Sequence, residues 1–430
     1  MMMLNSTFKL SPILLAVAAQ LAMSANATAI EGITAADKLA LKSRTVYFDR
    51  DYEKRSSNDS TLAQGLELNY QSGEISDFFT VGASFYGVAN IKSSGSAGGN
   101  ILPSGSHAGD VRGGFGKVGQ AYIGLSLVED SNITLGYQKT KTMLLASSGS
   151  RAIPSTFRGI TGNYQWQSFK VYGYVFDEWS RRGDDEWESF ETVNGDDIDY
   201  VWGFGTTFKQ GKWQADAEYL NSDNYLAKYG IRGSYSDKLA GGKIKLSAGI
   251  FFSEDDGSAF KAGSDKNLDN IDSNDGQVYY LDANWNYQML TFGVAFAQVD
   301  EIWIEDNFAG DHGTNPLPTR APIGPDLTNA EETIWQGRVG FDFAGIVDGL
   351  TINMTYTEGK DAENAKLGAA GGTADEDYWA IDTRYNVAAV KGLKLRWLYA
   401  DYNSDETGSV GGVKDDEKDH RVYVDYSYKF

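Results

Sequence analysis

The last ten residues of the chain alternate strictly between two classes of side chain. Val422, Val424, Tyr426, Tyr428 and Phe430 fall on one face of a predicted strand, and mostly polar residues fall on the other. Successive side chains of a β-strand point to opposite faces. A last strand with one apolar face and a C-terminal aromatic residue is typical of a transmembrane β-barrel, whose wall residues face either hydrocarbon or lumen. A half-buried strand of a soluble β-domain is the alternative.

The same period of two recurs along the whole chain, in segments bounded by Gly, Asp, Asn and Ser. Short and long connections alternate between these segments, which is the asymmetry of outer-membrane barrels. A short connection at Asn221–Asp223 breaks this order and leaves the count open by two strands. We predict eighteen strands, near 44–52, 62–71, 78–92, 115–128, 131–142, 156–166, 168–179, 199–209, 212–220, 224–236, 243–253, 277–287, 289–299, 333–343, 350–359, 377–387, 392–402 and 420–430.

The alternation also predicts which side chains of each strand face lipid and which face the lumen. On segment 212–220, Asp216 and Glu218 share the face predicted to line the lumen, and Trp213 lies on the lipid-facing side. Burying such polar faces in a soluble core costs several kcal/mol for each unpaired ion. The sequence therefore predicts an all-β fold, a transmembrane antiparallel β-barrel with short periplasmic turns and long extracellular loops. A barrel of this size encloses an aqueous channel.

The N-terminus predicts export. An apolar run after Lys9 is followed by an A-x-A cleavage site at 27–29, so we assign residues 1–29 to a secretory signal peptide. Residues 30–430 show no linker and are predicted to form a single transmembrane β-barrel domain. The chain has no Cys, which excludes disulfides and thiolate chemistry. We predict the outer membrane of a Gram-negative bacterium as its location.

The formal net charge of -21 resides mainly in the predicted loops. Acidic loops disfavour nucleic acid as a partner. Divalent cations that bridge these loops to anionic lipopolysaccharide would neutralise part of the charge. We therefore predict outer-membrane lipid, lipopolysaccharide and the barrel-assembly machinery as partners, with Phe430 as part of the assembly signal.

An enzymatic function requires a nucleophile beside a base. The three histidines, His107, His312 and His420, fall in predicted loops or at a strand end, and no G-x-S-x-G motif occurs. We therefore predict no enzymatic activity, no cofactor and no metal site. A structural or adhesive barrel is a further alternative, but it gives no reason for a charged lumen.

Five segments together resemble the OprD family of substrate-specific outer-membrane porins. They are TVYFDRDYE at 45–53, LAQGLELNYQSG at 62–73, PSTFRG at 154–159, DYWAIDTRYN at 377–386 and GLKLRWLYADYN at 392–403. The resemblance implies an eighteen-stranded barrel, an inward-folded third loop and passive diffusion of small nutrients. It also implies a basic ladder on the first and last strands. Members of the family import basic or acidic amino acids, small peptides, aromatic acids or chito-oligosaccharides.

The predicted faces place cations on the last strands, beside the first strand once the barrel closes. These cations would form a basic stripe on one wall, made of Arg44, Arg50, Arg338, Arg384, Lys394, Arg396 and Arg421. An acidic wall is predicted opposite, at Glu67, Asp216, Glu218 and Asp282. The resulting transverse field would orient dipolar or carboxylate-bearing solutes. Alternatively, the arginines pair with wall carboxylates such as Asp342, Asp382 and Asp425.

The segment Met143–Ser155 is rich in small and apolar residues and is predicted to fold into the lumen as a constriction loop. Its candidate site residues are Ser147, Ser148 and Arg151, with Arg158 just beyond it. The 300–332 connection holds four of the seven prolines and is predicted to lean over the entrance; a solvated surface loop is the alternative. We predict a substrate-selective porin for amino acids, small peptides or carboxylates, with a chito-oligosaccharide porin as the alternative. Either a monomer or a homotrimer fits the sequence.

Overall fold

The structure is a computed structural model that describes residues 36–53, 58–94, 101–103, 113–261, 273–311, 313–323, 326–364, 368–405 and 416–430. The predicted signal peptide, residues 1–29, lies outside the described residues. Within the described ranges, no helix is long and apolar enough to cross a membrane.

The described chain forms β-strands joined by turns and loops. The strands are β1 (Lys38–Tyr52), β2 (Asp59–Gln71), β3 (Phe79–Ser94), β4 (Phe115–Leu125), β5 (Ser131–Gln138), β6 (Thr156–Trp166), β7 (Phe169–Ser180), β8 (Glu188–Glu191), β9 (Asp197–Ile198), β10 (Val201–Gln210), β11 (Trp213–Ser222), β12 (Leu226–Leu239), β13 (Gly242–Asp255), β14 (Asp275–Tyr287), β15 (Leu290–Val299), β16 (Thr333–Asp342), β17 (Leu350–Asn364), β18 (Gly368–Asn386), β19 (Leu393–Ser404) and β20 (Glu417–Lys429).

Eighteen of these strands close into one antiparallel barrel. Each pairs with its neighbours in the chain, β7 pairs directly with β10, and β1 pairs with β20 to close the ring. The short strands β8 and β9 form a small hairpin within the β7–β10 connection. The predicted count of eighteen is therefore confirmed, and the short Asn221–Asp223 connection is a tight turn between β11 and β12.

The two rims of the barrel differ. We call the rim that carries Lys38 and Lys429 the turn rim, and the opposite rim, from which connections 139–155 and 300–332 emerge, the loop rim. A typical turn-rim connection is the two-residue turn of Ala240 and Gly241, with φ of 49° and 79°. Two positive φ angles match the right-handed twist of the flanking strands.

The outward face of the barrel is apolar. Trp213 is 61% exposed and Leu281 is 60% exposed, whereas the neighbouring Asp216, on the other face of β11, is 9% exposed. This confirms the lipid and lumen faces predicted for these strands. A soluble domain would bury such side chains, and in a barrel they meet hydrocarbon.

One predicted loop is largely strand. The connection expected at 360–376 is occupied by the ends of β17 and β18, with an irregularity between Gly359 and Ala362 and a positive φ at Asp361. A bulge of this kind shifts the register by one residue. The segment is rich in Ala and Gly and lacks apolar alternation, so the period of two did not reveal it.

Candidate functional site

The constriction loop, residues 139–155, lies inside the barrel. Leu144, Leu145 and Ile153 are buried, and Arg151 is almost fully buried. The loop crosses the lumen between β11 and the pair formed by β1 and β20. In the closed ring β11 is the ninth strand after β20, which is halfway round. The loop therefore divides the lumen instead of covering one wall.

One end of the constriction loop is held by Glu218 of β11. Its Oε2 accepts hydrogen bonds from the backbone N–H of Met143, at 2.6 Å, and of Leu144, at 3.1 Å. The hydroxyls of Tyr172 and Tyr174 donate to the same carboxylate. Hydrogen bonds to an ionised acceptor are about twice as strong as neutral ones.

The other end is held by Arg44 of β1. Its Nη1 donates to the carbonyl oxygens of Gly149, at 2.5 Å, and Arg151, at 3.1 Å. Asp425 of β20 accepts from Nε and Nη2 of the same guanidinium. Tyr423 adds a hydrogen bond from its hydroxyl to the Ser150 carbonyl, at 3.2 Å. Arg44 is therefore a clamp on the loop backbone as well as a cation in the lumen.

The connection 300–332, which we call the cover loop, packs against the lumenal side of β12 to β18. Trp303 and Phe308 are buried in a large apolar cluster with wall residues such as Phe251. The buried ammonium of Lys228 donates to the carbonyls of Glu305 and Asp306. The cover loop also contacts the constriction loop, since Asn307 Nδ2 donates to the carbonyl of Leu144 at 3.2 Å. The sequence predicted a loop that leans over the entrance, and the described residues of this connection are attached both to the wall and to the constriction loop.

Three cavities in the lumen are connected by shared lining residues. The outer cavity, of about 730 Å³, lies between the two loops. The middle cavity, of about 410 Å³, lies against β6 to β12, and the inner cavity, of about 360 Å³, lies against β1, β2 and β20. Lys141, Thr142, Met143 and Arg232 line both the outer and the middle cavity, and Lys139 lines both the middle and the inner one. We call the place framed by Lys141, Thr142, Met143 and Arg232 the passage.

Arginines from the walls and loops meet at the outer cavity. The guanidinium carbons of Arg421, Arg151 and Arg50 lie 4.3, 4.9 and 5.9 Å from the ring centre of Phe48. Asp419 pairs with both Arg421 and Arg50. Phe48 thus faces the lumen together with Arg44 and Arg50, and its ring is covered by cations, which explains an apolar residue on that face.

Arg182, from the β7–β10 connection, completes this group. Its Nη1 donates to the hydroxyls of Ser148 and Ser150, both at 2.6 Å. Burial and the neighbouring cations Arg421 and Arg50 lower the pKa of Arg182 to about 9. An anion in the outer cavity would relieve this repulsion.

The remaining arginines of the predicted basic stripe are paired with wall carboxylates. Arg384 and Arg396 both hold Asp382, with N···O distances of 2.7 and 2.8 Å. Arg338 of β16 pairs with Asp282 of β14 across Gly293. Lys394 lines the inner cavity.

Three sequence predictions about position need correction. Glu67 lies on β2, next to β1, and is bridged to Lys42 and Lys139, so it belongs to the basic side of the lumen. Asp282 is the partner of Arg338 and does not face it from across the lumen. Asp216 and Glu218, on β11, do lie across from β20. The predicted faces gave no information about which strands are diametrically opposed.

Arg158 is the third correction. It lies on β6, and its guanidinium pairs with Asp177 and Glu178. Asp177 shares its face of β7 with the exposed Val171 and Val175, so Arg158 belongs to the outer surface and not to the constriction. An irregularity between Arg158 and Gly159 in the β6–β7 register accompanies this position. Ser147 closes the constriction loop on itself, since its hydroxyl accepts from Thr140 N–H.

Sequence reasoning missed seven cations that line the cavities: Lys42, Lys139, Lys141, Lys170, Arg182, Arg232 and Arg320. A weak signal existed for three of them. Lys139 and Lys141 continue the period of two at the start of the constriction loop, and Arg181-Arg182 interrupts an otherwise acidic connection. Arg232 is set opposite Asp216 by the β11–β12 register, which the sequence alone does not fix.

A closed antiparallel barrel with an apolar belt, a polar lumen and loops that narrow it is the architecture of a porin. The model of the OprD family of outer membrane porins matches residues 31–430, so the chain belongs to this family. It is therefore an outer-membrane protein of a Gram-negative bacterium. Of the histidines considered for catalysis, His107 and His312 lie outside the described residues, and His420 packs at a tilt against Tyr399 with ring centres 4.4 Å apart.

Solved structures of similar fold are porins of Pseudomonas and Acinetobacter. OccAB1 of Acinetobacter baumannii matches with a TM-score of 0.82 and 17% identity, over 93% of this chain and 98% of that one. OccK9 (OpdG) of Pseudomonas aeruginosa matches with a TM-score of 0.79 and 20% identity, over 93% and 100%. OpdK of Pseudomonas aeruginosa, in its structure with vanillate, matches with a TM-score of 0.77 and 20% identity, over 93% and 100%. The comparison with curated proteins gave no match.

Proposed function

We propose that this porin favours small solutes that carry a carboxylate group, such as amino acids, small peptides or organic acids. The observation that carries the proposal is the charge of the three cavities. Basic side chains outnumber acidic ones by seven to four in the outer cavity, by four to one in the middle cavity and by four to two in the inner cavity. The chain as a whole has a formal net charge of -21, so the cavities are basic although the protein is acidic overall.

The acidic groups of the outer cavity reduce this excess less than their number suggests. Burial and the adjacent Asp326 carboxylate raise the pKa of Glu305 well above its usual range. A shared proton between Glu305 and Asp326 removes one negative charge. The path from the loop rim inward then runs from the arginines around Phe48, through Lys141 and Arg232 at the passage, to Lys139.

Paired arginines suit a channel better than free ones. Asp419 and Asp382 each pair with two guanidinium groups. These ion pairs fix the position of the guanidinium groups and reduce their electric field in the lumen. A guanidinium offers fixed donors to a carboxylate. Conduction requires sites that release a solute as readily as they bind it.

The sugar alternative has less support. Sugar-binding channels use exposed aromatic rings for stacking, and the aromatic side chains on the middle cavity are Tyr172 and Tyr174. Both hydroxyls are committed to Glu218. OpdK, with its bound vanillate, is a fold relative that accepts a carboxylate, which is consistent with the anionic class.

The test is ion selectivity of the double variant Lys141→Gln/Arg232→Gln in planar bilayers. A full charge about 6 Å from the pore axis contributes about 0.7 kcal/mol even at the dielectric constant of water. Loss of two such charges should therefore lower the permeability of anions, and raise that of cations, by up to about tenfold each. Uptake of a carboxylate solute into liposomes should slow in parallel.

A matched control removes one Arg and one Lys outside the passage. Arg158→Gln/Lys212→Gln changes an outer-surface residue paired with Asp177 and a turn-rim residue paired with Asp237. Its permeability ratio should stay at the wild-type value. Equal shifts in the two double variants would refute a selective role for the passage.

A further inference from the structure

We propose that Glu218 is a positioning residue that sets the width of the passage, and with it the size limit for solutes. It was expected to face the solute from an acidic wall. Instead the carboxylate is 4% exposed and its partners belong to the constriction loop and to β7. The inference concerns solute size, rests on the porin function given by family membership, and is independent of the sign of the solute charge.

Four donors converge on this one carboxylate. Met143 N–H, Leu144 N–H and the Tyr172 hydroxyl donate to Oε2 at 2.6, 3.1 and 2.9 Å, and the Tyr174 hydroxyl donates to Oε1 at 2.8 Å. Two of the donors are backbone groups of the loop, so Glu218 fixes the main chain itself. Each buried donor left without an acceptor would cost about 1–3 kcal/mol.

Two glycines of β10 make this arrangement possible. Tyr172 and Tyr174 lie on β7, and β10 separates that strand from Glu218 on β11. A Cβ atom at Gly203 would lie 2.4 Å from the Tyr174 hydroxyl oxygen, and one at Gly205 would lie 2.4 Å from that of Tyr172. The missing side chains therefore let both rings cross β10 and reach the carboxylate.

The position of Glu218 connects it to the passage. Met143, whose N–H is held by Glu218, is also one of the residues that line both the outer and the middle cavity. Arg232, which lines the same two cavities, pairs at 3.1 Å with Asp216, two residues before Glu218 on the same face of β11. Two residues that frame the passage are thus held by neighbouring carboxylates of one strand.

The test compares Glu218→Ala with the wild type in planar bilayers, using neutral polyethylene glycols of graded size to find the largest polymer that enters the pore. We expect a higher single-channel conductance and a larger size limit, because the loop backbone is released at Met143. Glu218→Gln keeps an acceptor oxygen and should show a smaller increase. Glu254→Ala is the matched control, since Glu254 accepts from Tyr229 at 2.5 Å in a carboxylate–tyrosine pair outside the constriction; it should keep the wild-type size limit.

A second variant background separates the effect of the constriction loop on conductance from that of the barrel wall. In a chain that lacks Ala146–Ala152, Glu218→Ala should add nothing to the conductance, because the segment that the carboxylate restrains is already displaced. An equal increase in both backgrounds would overturn the proposal, and so would an unchanged size limit in a folded Glu218→Ala barrel. If Glu218→Ala does not assemble, Glu218→Gln decides, since it keeps the size of the side chain and removes the carboxylate that the two loop N–H groups share. It should widen the pore, and an unchanged size limit there would again refute the role.

Discussion

The two loops that fill the lumen are held by different forces. The constriction loop is fixed at both ends by charged side chains that bind its backbone, Glu218 at one end and Arg44 at the other. The cover loop is fixed mainly by burial of apolar side chains such as Trp303 and Phe308. Residues 139–155 contain no Asp, Glu or His, whereas residues 300–332 contain eight acidic residues. A loop without titratable acids keeps its position over a wide pH range, and an acidic one need not.

The cover loop carries its acids in close pairs. Asn329 Nδ2 donates to Glu332 Oε2 at 3.3 Å and to Glu376 Oε1 at 3.0 Å, so the two buried carboxyl groups are neighbours. Tyr402 donates to Glu376 from β19. Burial and the Glu376 carboxylate raise the pKa of Glu332 well above its usual range. A proton held by the pair is therefore part of the attachment of this loop to the wall.

The difference between the loops indicates that one element sets the width of the pore and a separate element makes the pore sensitive to pH. The loop that sets the cross-section is tied by Glu218 and Arg44 to strands on opposite sides of the barrel. The loop above it is tied by groups whose charge depends on pH. Four experiments test this comparison, and the first is expected to give the largest effect.

Removal of Ala146–Ala152 should raise the single-channel conductance by at least about twofold, because a backbone that crosses the lumen excludes ions from the tightest cross-section. The deletion retains Met143 and Leu144 but takes away the carbonyl of Gly149 that Arg44 holds. Conductance in planar bilayers is the measurement. An unchanged conductance would show that the loop does not limit the current.

Replacement of Arg44 by Gln should loosen the same loop at one end. It removes charge-assisted hydrogen bonds to two carbonyls, each worth about 1.5–3 kcal/mol, and leaves Asp425 without its guanidinium. We expect a conductance between those of the wild type and the deletion, with more frequent current fluctuations. Arg384→Gln is the control, because Arg384 donates to the wall carboxylate Asp382. Identical current traces for the two variants would show that Arg44 does not restrain the loop.

The strand pattern and the constriction loop were predictable from the sequence, and the loop attachments were not. Alternation on β11 and β14 marked the lipid faces correctly because hydrocarbon selects apolar residues at every second position. The apolar and small composition of Met143–Ser155 marked it as a segment unsuited to water. The role of Glu218 depends on two further facts, the β7–β10–β11 register and the absence of side chains at Gly203 and Gly205. Such cross-strand neighbours have no signature in a single sequence.

The pH response should distinguish the two loops. Because the pKa of Glu332 is higher in the packed loop than in water, protonation stabilises the packed loop. That stabilisation is complete below the ordinary carboxyl pKa of about 4.3 and is lost as the pH rises through the raised pKa. Current fluctuations should therefore increase in the wild type as the pH rises above that ordinary value.

Glu332→Gln keeps a neutral partner for Glu376 at every pH, so its fluctuations should stay at the low-pH level. Glu331→Gln changes the adjacent, exposed carboxylate and should behave as the wild type. A wild-type response in Glu332→Gln would assign the pH dependence to other groups. In the Ala146–Ala152 deletion the pH dependence should persist, since the acid pair belongs to the cover loop.

The smallest expected effect comes from the wall, where Arg384→Gln/Arg396→Gln removes both partners of Asp382. The local charge changes from +1 to -1, so ion selectivity should shift toward cations and uptake of a carboxylate solute should slow. The shift should be smaller than for Lys141→Gln/Arg232→Gln, because the Arg384 side chain is 57% exposed to the open lumen and the Asp382 carboxylate already balances part of the field. Adding Asp382→Asn to the double variant should bring selectivity back toward the wild type. If reversal potentials and uptake both stay at wild-type values in the double variant, these arginines are structural partners of Asp382, and selectivity belongs to the passage between the two loops.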